Sequence, residues 1–75
     1  MDMRRLVGGN VRRIREKKRL TQEQFAELSG FSQQYISSLE QGLRNPTIIT
    51  LYELATALGA SHIDLVRPSR KTKSK

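Results

Sequence analysis

The sequence predicts an all-α fold of five short helices, with a helix-turn-helix formed by the second and third. Three observations lead there. Apolar residues recur at helical spacing from end to end, and no segment reads as a strand or an internal repeat. Thr21, Ser32, Thr47 and Ser61 each precede such a segment and suit an N-cap, because a hydroxyl can accept from a free amide of the first turn. Ser29-Gly30-Phe31 joins the second and third segments through three residues including glycine, the helix-turn-helix spacing. At 75 residues the chain allows one domain with a small core, which self-association would help to stabilise.

Taken in order, Met1 to Arg5 is expected to fray. A first helix runs from Leu6 to Lys18 with Val7, Val11 and Ile14 as its buried stripe. Gly8 and Gly9 each cost about 1 kcal/mol of helix propensity against alanine, and Gly9 allows close packing against a neighbouring helix. The glycine pair is no phosphate cradle, since neither a preceding strand nor a following Gly-Lys-Ser/Thr accompanies it. Arg15 lies at the edge of the stripe, and Glu40 is the one acid whose periodicity points inward. We infer that they pair, since a buried carboxylate without a partner is costly; two solvated rim residues are the alternative. Leu20 closes the first connection and packs inward.

The second helix, Gln22 to Ser29, is capped by Thr21, carries Glu23 in its first turn to suit the dipole, and aligns Phe25, Leu28 and Ser29 on one face. Gly30 suits the left-handed conformation that ends a helix, and lets Phe31 drop toward the core. The third helix, Gln33 to Gln41, turns Ile36, Leu39 and Glu40 inward. Gly42 ends it, and Leu43-Arg44-Asn45-Pro46 is a polar loop. Thr47 caps a fourth helix, Ile48 to Leu58, buried along Ile48, Leu51, Leu54, Ala55 and Leu58 and stopped by Gly59. Ile49 and Tyr52 lie off that stripe, either as scattered surface apolar residues or as contacts with a second copy of the chain. Ser61 and Asp64 resemble a capping box that opens a short last helix with Ile63, Leu65 and Val66. The folded domain is thus expected over 1–67, and 68–75 as a basic disordered tail with nothing to bury.

Charge narrows the function. Fourteen Lys and Arg against seven Asp and Glu leave +7, which favours a polyanionic partner. The excess loads the first segment, from Arg4 to Arg19, and the last, from Arg67 to Lys75; only Arg44 lies between. On the third helix the outward residues are Gln33, Gln34, Ser37, Ser38 and Gln41, a neutral face in a chain that is 28% charged. Side-chain amides can bond an adenine edge bidentately, and hydroxyls serve either base partner. An uncharged surface without a partner would read the same on this stretch alone. The flanking cations tip the balance, since phosphates bracket bases in the same way. A membrane surface attracts such charge but has no use for the amides.

Other classes are disfavoured. The chain has no cysteine, hence no disulfide or thiolate metal site, which fits a reducing compartment. No apolar run crosses a bilayer and no h-region follows the first residues, so a cytoplasmic location is expected. Ser61, His62 and Asp64 supply triad residue types, but they crowd one turn and cannot converge as nucleophile, base and orienter. The single histidine and the absence of a ligand cluster speak against a metal, a cofactor and catalysis.

Several stretches together resemble the Cro/phage-repressor (XRE-type) helix-turn-helix family, whose domain is the compact five-helix lambda-repressor-like fold. They are Leu20 to Ala26, Ser29 to Ser32, Ile36-Ser37, Leu39-Glu40, Gly42, Arg44 to Thr47, Leu51, Leu54-Ala55 and Ala57 to Gly59. The resemblance spans about residues 6 to 66. It implies a sequence-specific, double-stranded DNA-binding regulator, as a repressor, with the third helix in the major groove. Gln33, Gln34 and Ser38 then fall on base-reading positions with Ser37 beside them. Gln22 and Ser32 fall at helix starts that meet phosphate, and Arg44 and Asn45 in a loop that grips the far backbone. Tyr35 either bonds a phosphate or packs over the helix start, and phosphate is preferred. The Arg15–Glu40 pairing also recurs among family members. The family usually binds a near-palindromic operator as a homodimer, with contacts here from Ile49, Tyr52 and the segment that includes Ile63 and Val66. Arg19 departs from the pattern, where glycine is frequent, so a differently shaped first connection is expected. Three other readings share the fold: an antitoxin that also binds a toxin, a controller protein of a restriction-modification system, and an adaptor that binds protein alone.

Overall fold

The computed structural model describes residues 2–68; the tail expected over 68–75 lies, from residue 69 onward, outside the described residues. Among the described residues five helices follow one another: α1 (Met3–Lys17), α2 (Gln22–Ser29), α3 (Gln33–Glu40), α4 (Ile48–Leu58) and α5 (His62–Val66). Every helix puts at least one side chain into a single core: Val11 from α1, Phe25 from α2, Ile36 and Leu39 from α3, Leu54 from α4 and Leu65 from α5. The long α1 packs across α3 and α5, α2 bridges α3 and α4, and α4 closes onto α5. Leu20 and Phe31 lie half-buried against this cluster and seal the two connections around α2.

The N-terminus is more ordered than the glycine-rich start implies. Asp2 accepts from the amides of Arg4 (3.1 Å) and Arg5 (3.4 Å), so α1 begins at Met3 rather than Leu6 and Met3 to Arg5 are helical. The close-packing glycine is Gly8, not Gly9. A Cβ on Gly8 would stand 2.3 Å from the Leu39 carbonyl oxygen, whereas Gly9 faces open space. That missing Cβ is what lets α1 rest directly on the end of α3.

Two residues expected inside are outside. Leu28 is 61% exposed, because the two turns of α2 bury only Phe25 and Ala26, flanked by Gln22 and Ser29. Ile48 is 79% exposed: it is the first residue of α4, beyond the end of the stripe that Leu51, Leu54, Ala55 and Leu58 turn inward.

Three helices end in one pattern. At α1, Arg19 N–H donates to Glu16 O (2.9 Å) and Leu20 N–H to Arg15 O (3.1 Å). Gly42 and Leu43 do the same for α3, Gly59 and Ala60 for α4. The residue at the bend is left-handed each time, with φ of +62° at Arg19, +80° at Gly42 and +70° at Gly59. Arg19 thus takes the conformation that suits glycine, and the first connection turns as the ends of α3 and α4 do.

Candidate nucleic-acid interface

The outward side of α3 begins at its cap. Ser32 Oγ accepts from the Tyr35 amide (3.0 Å), which starts the helix and leaves the hydroxyl proton of Ser32 free to donate. Gln33 and Gln34, in the first turn, are exposed; Ser37 and Ser38, one turn on, are half-buried. Gln41 reaches back to donate to Ser37 Oγ at 3.2 Å. Among these residues there is no charge, and the one acid of the helix, Glu40, is turned under, with 3% of its side chain exposed.

Glu40 is the hub of a hydrogen-bonded chain. Arg15 donates to both carboxylate oxygens, Nε to Oε2 at 2.6 Å and Nη2 to Oε1 at 3.0 Å, and its Nη1 donates to Leu20 O at 2.7 Å. The bond to Glu40 raises the Arg15 pKa above its ordinary value, against the opposing effect of burial. Gln22 Nε2 also donates to Glu40 Oε1 (3.0 Å), and Gln22 Oε1 accepts from Gln33 Nε2 (3.2 Å). The first residues of α2 and α3 are thus tied to each other and, through Glu40, to α1. One N–H of the Gln22 amide is left for an anion.

The loop after α3 flanks the neutral face. Arg44 and Asn45 are both exposed. The Arg44 guanidinium lies over the Tyr35 ring, 5.5 Å from its centroid, and Tyr35 stacks on Phe31 with centroids 5.0 Å apart. Burial raises the Tyr35 pKa while the nearby Arg44 charge works against the rise. Asn45 borders a surface depression with Asp2, Met3 and Arg4, so the start of α1 lies beside this loop. Arg4 and Arg5, counted in the sequence toward the basic first segment but within the stretch expected to fray, are part of that helix start.

Ile49, Tyr52 and Ile63 are exposed, and Ile48 joins them; Val66 is half-buried against the core. The Tyr52 and His62 rings, 6.2 Å apart, connect the α4 and α5 surfaces. Asn10 also escaped the sequence reading. It is 2% exposed, its amide donates to Leu65 O and Arg67 O at 2.9 Å each, and its Oδ1 accepts from Arg13 at 2.8 Å. The available signal was its position on the stripe of Val7, Val11 and Ile14. Among the described residues no helix is long and apolar enough to cross a membrane.

Comparison with known proteins agrees with this fold. A family model described as helix-turn-helix matches residues 11–65. An uncharacterized HTH-type transcriptional regulator, y4dJ of Sinorhizobium fredii, is 65% identical over 72 residues, covering 96% of this chain and 94% of that protein. Control protein C.SmaI of Serratia marcescens is 46% identical over 61 residues, covering 81% of this chain and 73% of its own. Among solved structures, the restriction-modification controller protein C.AhdI from Aeromonas hydrophila superposes with a TM-score of 0.79 at 35% identity, over 83% of this chain and 90% of that one.

Proposed function

We propose, from the premise that this chain belongs to the helix-turn-helix family of DNA-binding transcriptional regulators, that it represses transcription by laying α3 in the major groove of a specific operator. The observation behind this is the composition of the outward α3 face. Gln33 and Gln34 are presented to solvent and Ser37 and Ser38 stand one turn behind, while the only charge of the helix is buried. A neutral donor-acceptor face matches base edges, which offer partial charges and hydrogen-bond groups rather than full charges. In this reading Gln33, Gln34, Ser37 and Ser38 meet bases. Gln22, Ser32, Tyr35, Arg44 and Asn45 meet phosphates on either side; the free N–H of Gln22 and the hydroxyl of Ser32 suit an anion at a helix start.

Two copies meet through Ile49, Tyr52, Ile63 and Val66, and the operator is a near-palindrome with half-sites about one duplex turn, ~34 Å, apart. Such a regulator works in the cytoplasm, on DNA. A narrower role as the controller of a restriction-modification system is favoured by the likeness to C.SmaI and C.AhdI.

Selection of bound sequences from a random duplex library tests the reading. The expected result is an enriched two-fold motif with that spacing. A library that returns no preferred sequence would overturn it and leave the protein-only adaptor.

A further inference from the structure

Arg44 sits on a loop outside any helix, and among the described residues it has no carboxylate partner. Its directional contact is with a ring. The guanidinium carbon lies 5.5 Å from the Tyr35 centroid, and the Tyr35 ring is itself stacked on Phe31, 5.0 Å between centroids and 23° from coplanar. Phe31 and Tyr35 both pack against the core, so the aromatic pair is anchored and Arg44 is the exposed end of the stack. The chemistry of this contact matters. An ion pair would occupy N–H donors of the arginine, whereas a guanidinium lying over a ring keeps donors available for another acceptor.

We propose that the Tyr35 ring, braced by Phe31, is the platform that holds the Arg44 guanidinium ready for a phosphate, which makes Tyr35 a positioning residue for DNA binding. This rests on the reading of Arg44 as a phosphate contact. The platform is distinct from any bond made by the Tyr35 hydroxyl, and substitution can separate the two. Tyr35→Phe removes the hydroxyl and keeps the stack; Tyr35→Leu removes both and still packs on Phe31.

The test is a double-mutant cycle on the selected operator duplex, measured across a salt series. Exposed cation–π contacts correspond to roughly two- to fivefold in affinity. Tyr35→Leu is expected to bind about that much more weakly than Tyr35→Phe while Arg44 is present, and equally once Arg44→Ala is added to both. The same gap in both backgrounds would overturn the platform and spare the phosphate contact. Arg44→Ala alone is expected to reduce the salt slope by about one; an unchanged slope overturns the phosphate contact and the platform with it. In the DNA-free protein, side-chain protons of Arg44 are expected upfield of ordinary arginine, and to remain so in Tyr35→Phe. Their absence from that position in the wild type overturns the proposal even where Tyr35→Leu fails to fold.

Discussion

Glu40 is a carboxylate with almost no solvent, and its oxygens are satisfied because Arg15 meets both of them and Gln22 adds a third bond. The arrangement is costly to break. Glu40→Ala would take its buried carboxylate from the Arg15 guanidinium, whose side chain is only 10% exposed, and leave it the Leu20 carbonyl and a 3.9 Å approach to Glu16. A loss of about 3–5 kcal/mol is expected in denaturant melts; a loss of a few tenths would show that water takes over. Gln34 is the opposite kind of residue, exposed and unsupported. Gln34→Ala is expected to leave stability alone, to weaken cognate DNA by about 1–3 kcal/mol and to relax preference at one base position. Equal weakening on cognate and random duplexes would remove it from the base-reading set. The pairing partner of Glu40 could be inferred from burial and charge alone. Gln22, by contrast, reads from the sequence only as a helix start facing phosphate, because its bonds to Glu40 and Gln33 depend on where two separate helices begin.

At the scale of elements, the helix ends decide how the chain turns. Arg19 holds a left-handed backbone that costs a residue with a Cβ roughly 1–2 kcal/mol. Glycine escapes that cost but loses more entropy on folding, about 0.5–1 kcal/mol. Arg19→Gly is therefore expected to raise stability by about 0.5–1 kcal/mol, seen as a higher Tm; a lower Tm would mean that the arginine side chain contributes more than its backbone loses. α5 has a different dependence. Its five residues are too few to be stable alone, and Asn10 of α1 satisfies carbonyls at its end. Asn10→Ala leaves those carbonyls unpaired, an expected loss of about 1–3 kcal/mol, with faster hydrogen exchange concentrated in α5. Uniform exchange throughout the chain would contradict that local role.

For the whole molecule, the question is how so small a domain holds a register on DNA. The proposed answer is duplication. Ile48, Ile49, Tyr52 and Ile63 leave an apolar surface on α4 and α5 that the monomer does not cover. Tyr52→Asp is expected to convert a dimer into a monomer in sedimentation, without loss of fold. It should also weaken operator binding by about 10²-fold or more, since linked half-sites raise effective concentration. A monomeric wild type with the same operator affinity as the variant would contradict duplication.

Local chemistry alone determined the helix count, the caps at Thr21, Ser32, Thr47 and Ser61, and the neutral strip on α3, because each depends on residues within a few positions of one another. Tertiary structure decided the rest. It chose Gly8 over Gly9 as the point where α1 touches α3, turned Ile48 and Leu28 outward, buried Asn10 against α5 and laid Arg44 on Tyr35. Those outcomes depend on which surfaces five helices present to one another. Periodicity gives each helix an apolar side, but only packing fixes where along that side a neighbour begins and ends.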